Sequence, residues 1–110
     1  MPPAVAPACI VYTTWPSLVE AEAAGRAIVG DGLAACVNIL PAGVSIYRWQ
    51  GEVERVEEVV MMFNTRWELA EQVEQAVRAR HPYELPSVLV LPVLAGEAGY
   101  LAWIAAETTG

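Results

Sequence analysis

Residues 44–64 read VSIYRWQGEVERVEEVVMMFN. Val44 to Gln50 alternates: Ser45, Tyr47 and Trp49 share one face, and Val44, Ile46 and Arg48 share the other. That period of two is the mark of a strand. Gly51-Glu52 reads as a turn or bulge, and Val53 to Asn64 returns, most apolar over its last six residues. Upstream, Leu33 to Leu40 (LAACVNIL) is another strand, tied to Val44 by a tight connection at Pro41-Ala42-Gly43. The whole hairpin, Leu33 to Asn64, is longer than a small four-stranded sheet can pair, so its end leaves open edges.

The flanking segments complete a pattern. Ala8 to Thr14 is a short β-branched run, expected as a strand buried on both faces. Ser17 and Glu20 form an S-x-x-E capping box, and Leu18, Ala21 and Ile28 fall on one helical face before Gly30-Asp31-Gly32. After the hairpin, Thr65 and Glu68 offer a second capping box. The helix they open carries Leu69, Val73, Ala76 and Val77 and ends at His81-Pro82. Val88 to Leu94 is a further apolar strand. Gly96 opens a last helix with Leu101, Ile104 and Ala105 on one face, and Tyr100 and Trp103 off it. The order predicts an α+β fold, a ferredoxin-like split β-α-β sandwich with helices over one sheet face, a long β-hairpin and an extra C-terminal helix. Residues 1–7 read as a flexible tail, and 8–110 as a single domain.

Of the 110 residues, 55% are hydrophobic and 17% charged, against ~25% charged in an average globular chain. Disorder is excluded. An isolated monomer is not expected, because a domain this small leaves roughly a third of its unfolded chain's surface in water. Self-association is the expected remedy. No apolar run approaches the ~20 residues of a membrane span, and no basic segment opens a secretory signal, which points to the cytoplasm. The net charge is −7 with no lysine, and the six arginines are scattered, so nucleic acid is not an expected partner.

Catalytic material is sparse. There is no phosphate-binding glycine loop, His81 is the only histidine and Asp31 the only aspartate. Cys9 and Cys36 lie in apolar runs without a CxxC pair and read as buried reduced thiols. Met61 and Met62 read as core. Pro2 would become a secondary amine, the base of a tautomerase, if Met1 were removed, but the loose composition around it favours a tail. The chain reads as a non-enzyme. Its most distinctive polar cluster is His81-Pro82-Tyr83-Glu84, a helix end carrying an imidazole, a phenol and a carboxylate.

Four segments carry a family resemblance: Ala34-Ala35-Cys36-Val37-Asn38-Ile39, Ser45-Ile46-Tyr47-Arg48-Trp49-Gln50-Gly51, His81-Pro82-Tyr83-Glu84-Leu85-Pro86, and Tyr100-Leu101-x-Trp103. In order and spacing, residues 8 to 108 resemble the divalent-cation tolerance proteins, the CutA family. The resemblance implies a ferredoxin-like protomer, a stable homotrimer whose long hairpins pair between subunits, and a role in tolerance of copper and other divalent cations. Copper-binding members place a cysteine at the end of the first strand and paired histidines before Pro-Tyr. The matching positions here are Thr13 and Arg80-His81, so only His81 carries over. The family's Lys-Thr before the second helix is Asn64-Thr65. A neutral imidazole suits copper(II), and Glu84 is within the same turn. No cofactor is obligatory on this reading; copper(II) or another divalent cation is weakly bound by His81 and Glu84. Cys36, Tyr47, Trp49, Tyr83 and Trp103 are expected at a ligand pocket or subunit interface. The alternative is a small-ligand sensor with inter-subunit clefts lined by Tyr47, Trp49, His81 and Tyr83.

Overall fold

A computed structural model describes residues 6–109. The elements follow the expected order: β1 (Ala8–Trp15), α1 (Leu18–Gly30), β2 (Cys36–Trp49), β3 (Glu52–Thr65), α2 (Ala70–Arg80), β4 (Val88–Val93) and α3 (Ala98–Ala106). A single 3-10 turn, Trp67–Leu69, leads into α2. The sheet order is β2-β3-β1-β4, antiparallel throughout. This is the split β-α-β arrangement with α3 added.

The core lies between the sheet and the first two helices. Alternation along β1 sends Cys9, Val11 and Trp15 to that side, where they meet Met61 and Phe63 of β3, Ala21, Ala24 and Ile28 of α1, and Val73 and Val77 of α2. Gly25 lets α1 approach β2 closely, since a Cβ there would stand 3.1 Å from a Val37 methyl. The α1 start is the expected capping box: Ser17 Oγ accepts from the Glu20 amide at 3.3 Å and donates to the Glu20 carboxylate at 2.9 Å. The helix α3 packs elsewhere. Ile104 and Leu101 cover Ala8, Ala35 and Val93, residues of the opposite alternation. Arg66 fixes the chain after α3, donating from Nε to Thr108 Oγ1 at 2.8 Å and from a terminal nitrogen to Thr108 O at 2.9 Å.

Several expectations change. The two strands expected at 33–40 and 44–50 are one, β2, and Pro41-Ala42-Gly43 is a bulge within it. Ala42 takes φ 63°, and the register slips between Leu40 and Gly43. The hairpin turn is Gln50-Gly51 rather than Gly51-Glu52, because both residues take positive φ and Trp49 pairs with Glu52. The second capping box does not form: Thr65 Oγ1 donates instead to Leu33 O at 2.6 Å, which pins the loop before β2. Leu18 and Ala105, expected on buried helix faces, are exposed. Met61 is core, but Met62 is half-buried on the other side of the sheet, and Cys36 is half-buried rather than buried. Helices do not cover one face alone, since α3 sits on the side opposite α1 and α2. Ala6, expected in the tail, is buried against the core. Residues 1–5, Pro2 among them, lie outside the described residues.

The strand lengths set the shape. β1 pairs with β3 only from Val59 to Thr65, so Glu52–Glu58 has β2 as its sole strand neighbour. The result is a two-stranded arm projecting from a four-stranded body, in a molecule 43 Å long and 23 Å thick. Beside it, the sheet side away from α1 and α2 shows Leu40, Leu89 and Leu91 to solvent.

Trp15 closes the core where β1 ends. It is fully buried, and its indole donates to Thr13 Oγ1 at 2.7 Å. Trp15→Ala is expected to cost about 3–5 kcal/mol in a denaturant titration. A loss below ~1 kcal/mol would contradict this packing.

Candidate functional site

The end of β1 and the start of the arm bring a polar-aromatic cluster together. α2 ends at His81, which takes extended dihedrals because Pro82 follows. The imidazole packs against Trp15, with ring centroids 4.3 Å apart and planes tilted by 35°, and against Tyr83 at 4.8 Å and 53°. Both ring nitrogens are occupied. Nδ1 accepts the Tyr83 amide at 3.1 Å, which leaves Nε2 as the donor to Thr14 O at 2.7 Å. The neutral Nε2–H tautomer satisfies both bonds at once.

Tyr83 reaches further. Its hydroxyl donates to a Glu58 carboxylate oxygen at 3.1 Å. Glu58 is 8% exposed, and among the described residues no cation pairs with it. Burial pushes the Tyr83 phenol up to about 12, helped by the hydrogen bond and charge of Glu58 and by Tyr47 and Glu20 nearby. The phenol therefore stays protonated, a donor held against a carboxylate. Trp15, His81, Tyr83 and Glu58 form one column, with Tyr47 and Glu20 at its edge. Glu84 lies exposed in the same turn.

A second group sits at the other end of β1, about five residues along, or ~17 Å. Cys36 Sγ accepts from Asn64 Nδ2 at 3.6 Å and from the Tyr100 hydroxyl at 3.8 Å. Asn64 Nδ2 also donates to the Tyr100 hydroxyl at 3.1 Å, and Tyr100 and Trp103 stack at 5.5 Å. Cys36 also lines an apolar groove of about 550 Å³ between α1 and β2, with Leu18, Val29 and Val37. The expected site residues thus divide. His81, Tyr83 and Tyr47 converge at one end, Cys36 and Trp103 stand at the other, and Trp49 lies out on the arm beside the turn.

The ligand chemistry within one protomer is thin. Among the described residues no three His, Cys, Asp or Glu side chains gather as a metal would require. Thr13 is fully buried, donating to Met61 O at 2.8 Å while accepting from Trp15. Cys9 is buried, its thiol pushed up to about 11 by burial and by Glu68, so it is inert. A metal at His81 would have to displace the Tyr83 amide or the Thr14 carbonyl. Sequence reasoning missed Trp15 and Glu58. Trp15 was visible as an aromatic beside Pro16 at a strand end. Glu58 was hidden in a run of glutamates.

Known proteins match the chain along nearly its whole length. The family model described as CutA1 divalent ion tolerance protein matches residues 9–107. A Divalent-cation tolerance protein CutA from Thermus thermophilus is 41% identical over 101 residues, 92% of this chain and 97% of its own. Of the curated plant and animal relatives the chain spans about half, 52 to 58%. The crystal structure of CutA from Xylella fastidiosa superimposes with a TM-score of 0.91 at 36% identity, covering 94% of this chain and all of that one. A structure from Archaeoglobus fulgidus described as a periplasmic divalent cation tolerance protein gives 0.88 at 36% identity, covering 91% and 97%. With the family model matched over residues 9–107 and relatives this similar in sequence and in fold, the chain belongs to the CutA1 divalent ion tolerance family.

Proposed function

We propose that this chain acts as a non-enzymatic, homotrimeric divalent-cation tolerance module, with copper(II) or a related cation bound weakly and conditionally. The observation that carries the reading is the unpartnered arm. Tyr47 and Trp49 stand on it 45% and 47% exposed, beside a sheet side that also shows Leu40, Leu89 and Leu91. A two-stranded ribbon in water is marginal, and an apolar surface of this extent is normally covered. A second copy covers it without a further partner. The cluster of His81, Tyr83 and Glu58 then lies at the junction of copies, where binding and assembly are coupled.

Weak metal binding follows from the ring's two hydrogen bonds. Copper(II) favours imidazole nitrogen, yet taking His81 Nδ1 releases the Tyr83 amide, which a strong site would not require. Glu84 is the proposed second ligand. The alternative reading, a small-ligand sensor in the same inter-subunit cleft, is favoured by the aromatic column itself, which offers ring faces more readily than metal donors. A reducing compartment such as the cytoplasm suits the two free thiols.

Light scattering after gel filtration is expected to give about three times the 11.9 kDa protomer mass. Trp49→Ala is expected to lower the stability of the assembly by ~3 kcal/mol. A wild-type monomer overturns the trimer, and an unchanged assembly in the variant removes Trp49 from the subunit contact. Calorimetric titration with copper(II) at pH 7.5 is expected to show binding weaker than about nanomolar, lost in His81→Ala. Equal affinity in the two proteins would remove His81 from the site.

A further inference from the structure

The carboxylate of Glu58 has no counter-ion. Among the described residues it is the one charged side chain that is buried, at 8% exposure. One of its oxygens accepts from the Tyr83 hydroxyl at 3.1 Å. The other accepts nothing among the described residues, yet it is not sealed from solvent. Across the ribbon Glu58 pairs with Gly43, so β2 sets no side chain opposite it. No arginine reaches it: Arg26 lies against Glu22 and Arg55 against Glu57. His81, in the Nε2–H tautomer that its two hydrogen bonds require, supplies no charge either. A carboxylate so far out of water is costly until a cation reaches it.

Its surroundings are aromatic and acidic. The rings of Tyr83 and Tyr47 are 36% and 45% exposed. Burial first, then Glu58, Tyr47 and Glu20, push the Tyr83 phenol up to about 12, so a second phenol and a second carboxylate lie close to its hydroxyl. Glu20 is held there by Ser17 Oγ at 2.9 Å. A phenol that keeps its proton is no metal ligand, and among the described residues no three metal-ligating side chains gather. An aromatic face does attract a positive charge, and a free carboxylate oxygen takes an N–H donor from a cation more strongly than from a neutral group.

We propose that this corner binds a small organic cation bearing N–H donors on an apolar stem, such as an alkylammonium ion. The cationic head donates to the free Glu58 oxygen, Glu20 adds a second negative charge, and the stem lies along the rings of Tyr83 and Tyr47. The inference rests on the small-ligand reading of this cluster, not on copper, and names the class of ligand.

The test is calorimetric titration of the full chain at neutral pH with n-butylammonium, and with n-butanol as a neutral probe of the same length. Butylammonium is expected to bind at least about tenfold more tightly than butanol. Glu58→Gln keeps the shape and the Tyr83 bond but removes the charge, and is expected to weaken butylammonium at least about tenfold. Tyr47→Leu is expected to weaken it about threefold. Glu57→Gln removes a charge one residue away, on the other side of the ribbon, and is expected to change affinity less than about twofold. Equal losses in Glu57→Gln and Glu58→Gln would mean diffuse attraction to a chain of net charge −7, and overturn the site. Should Glu58→Gln not fold, the wild-type ring-proton resonances of Tyr47 and Tyr83 decide instead. They are expected to shift with butylammonium and not with butanol, and unmoved resonances overturn the proposal. Binding of butanol as tight as that of butylammonium overturns this inference and leaves the small-ligand reading standing. Binding of neither overturns both.

Discussion

The hydrogen-bonded pairing of β2 with β3 outruns everything laid against it. β3 has 14 residues and β1 has eight, so half of β3 lies in a four-stranded sheet and half in a bare ribbon. Between sheet and helices the body has its own core, filled by Trp15, Phe63, Ile28 and Val73. The arm has none. Its strands satisfy each other's backbone groups along one edge only, and beyond Tyr47 and Glu58, which meet the turn after α2, most of its side chains stand exposed. The exposed aromatics and unpaired charges of the arm are consequences of one mismatch in strand length.

The same mismatch positions the candidate site. Where β1 stops, the turn after α2 takes the vacated place beside β3. Pro82 ends the helix, His81 settles on Trp15, and Tyr83 reaches the first β3 carboxylate beyond the end of β1. On the proposed reading, chemistry and assembly therefore meet at one place. A ligand that disturbed the Tyr83–Glu58 bond would act on the strand that continues into the arm. A copy docking on the arm would alter the surroundings of Tyr83. This coupling suits a protein that responds to a cation better than one that stores it, and the two bonds already held by the His81 ring point the same way.

Much of this was legible in the residues. The order of elements, the Ser17–Glu20 cap and the alternation of Tyr47 and Trp49 all follow from local physics. The errors share a cause, which is that tertiary contacts overrode a local signal. Pro41-Ala42-Gly43 looked like a turn because its residue types favour one, yet β3 pairs on both sides and absorbs the irregularity as a bulge. Thr65 matched a capping pattern but spends its hydroxyl on Leu33 across the fold. His81 looked available to a metal because nothing local occupies Nε2; its partner, the Thr14 carbonyl, is 67 residues away. Glu58 could not be singled out among its neighbours, because its burial is set by a turn 25 residues on. Position along a strand was readable, whereas the partner arriving from elsewhere was not.

Hydrogen exchange along the arm tests most directly whether a second copy covers it. The backbone amides of residues 44–57 are to be compared with those of β1 and the paired half of β3, in the wild-type protein at neutral pH. If copies stack on the arm, its amides are protected to the same order as the four-stranded body. If instead they exchange as a bare two-stranded ribbon does, while the body stays protected, the arm stands free in solution and the account of assembly is wrong.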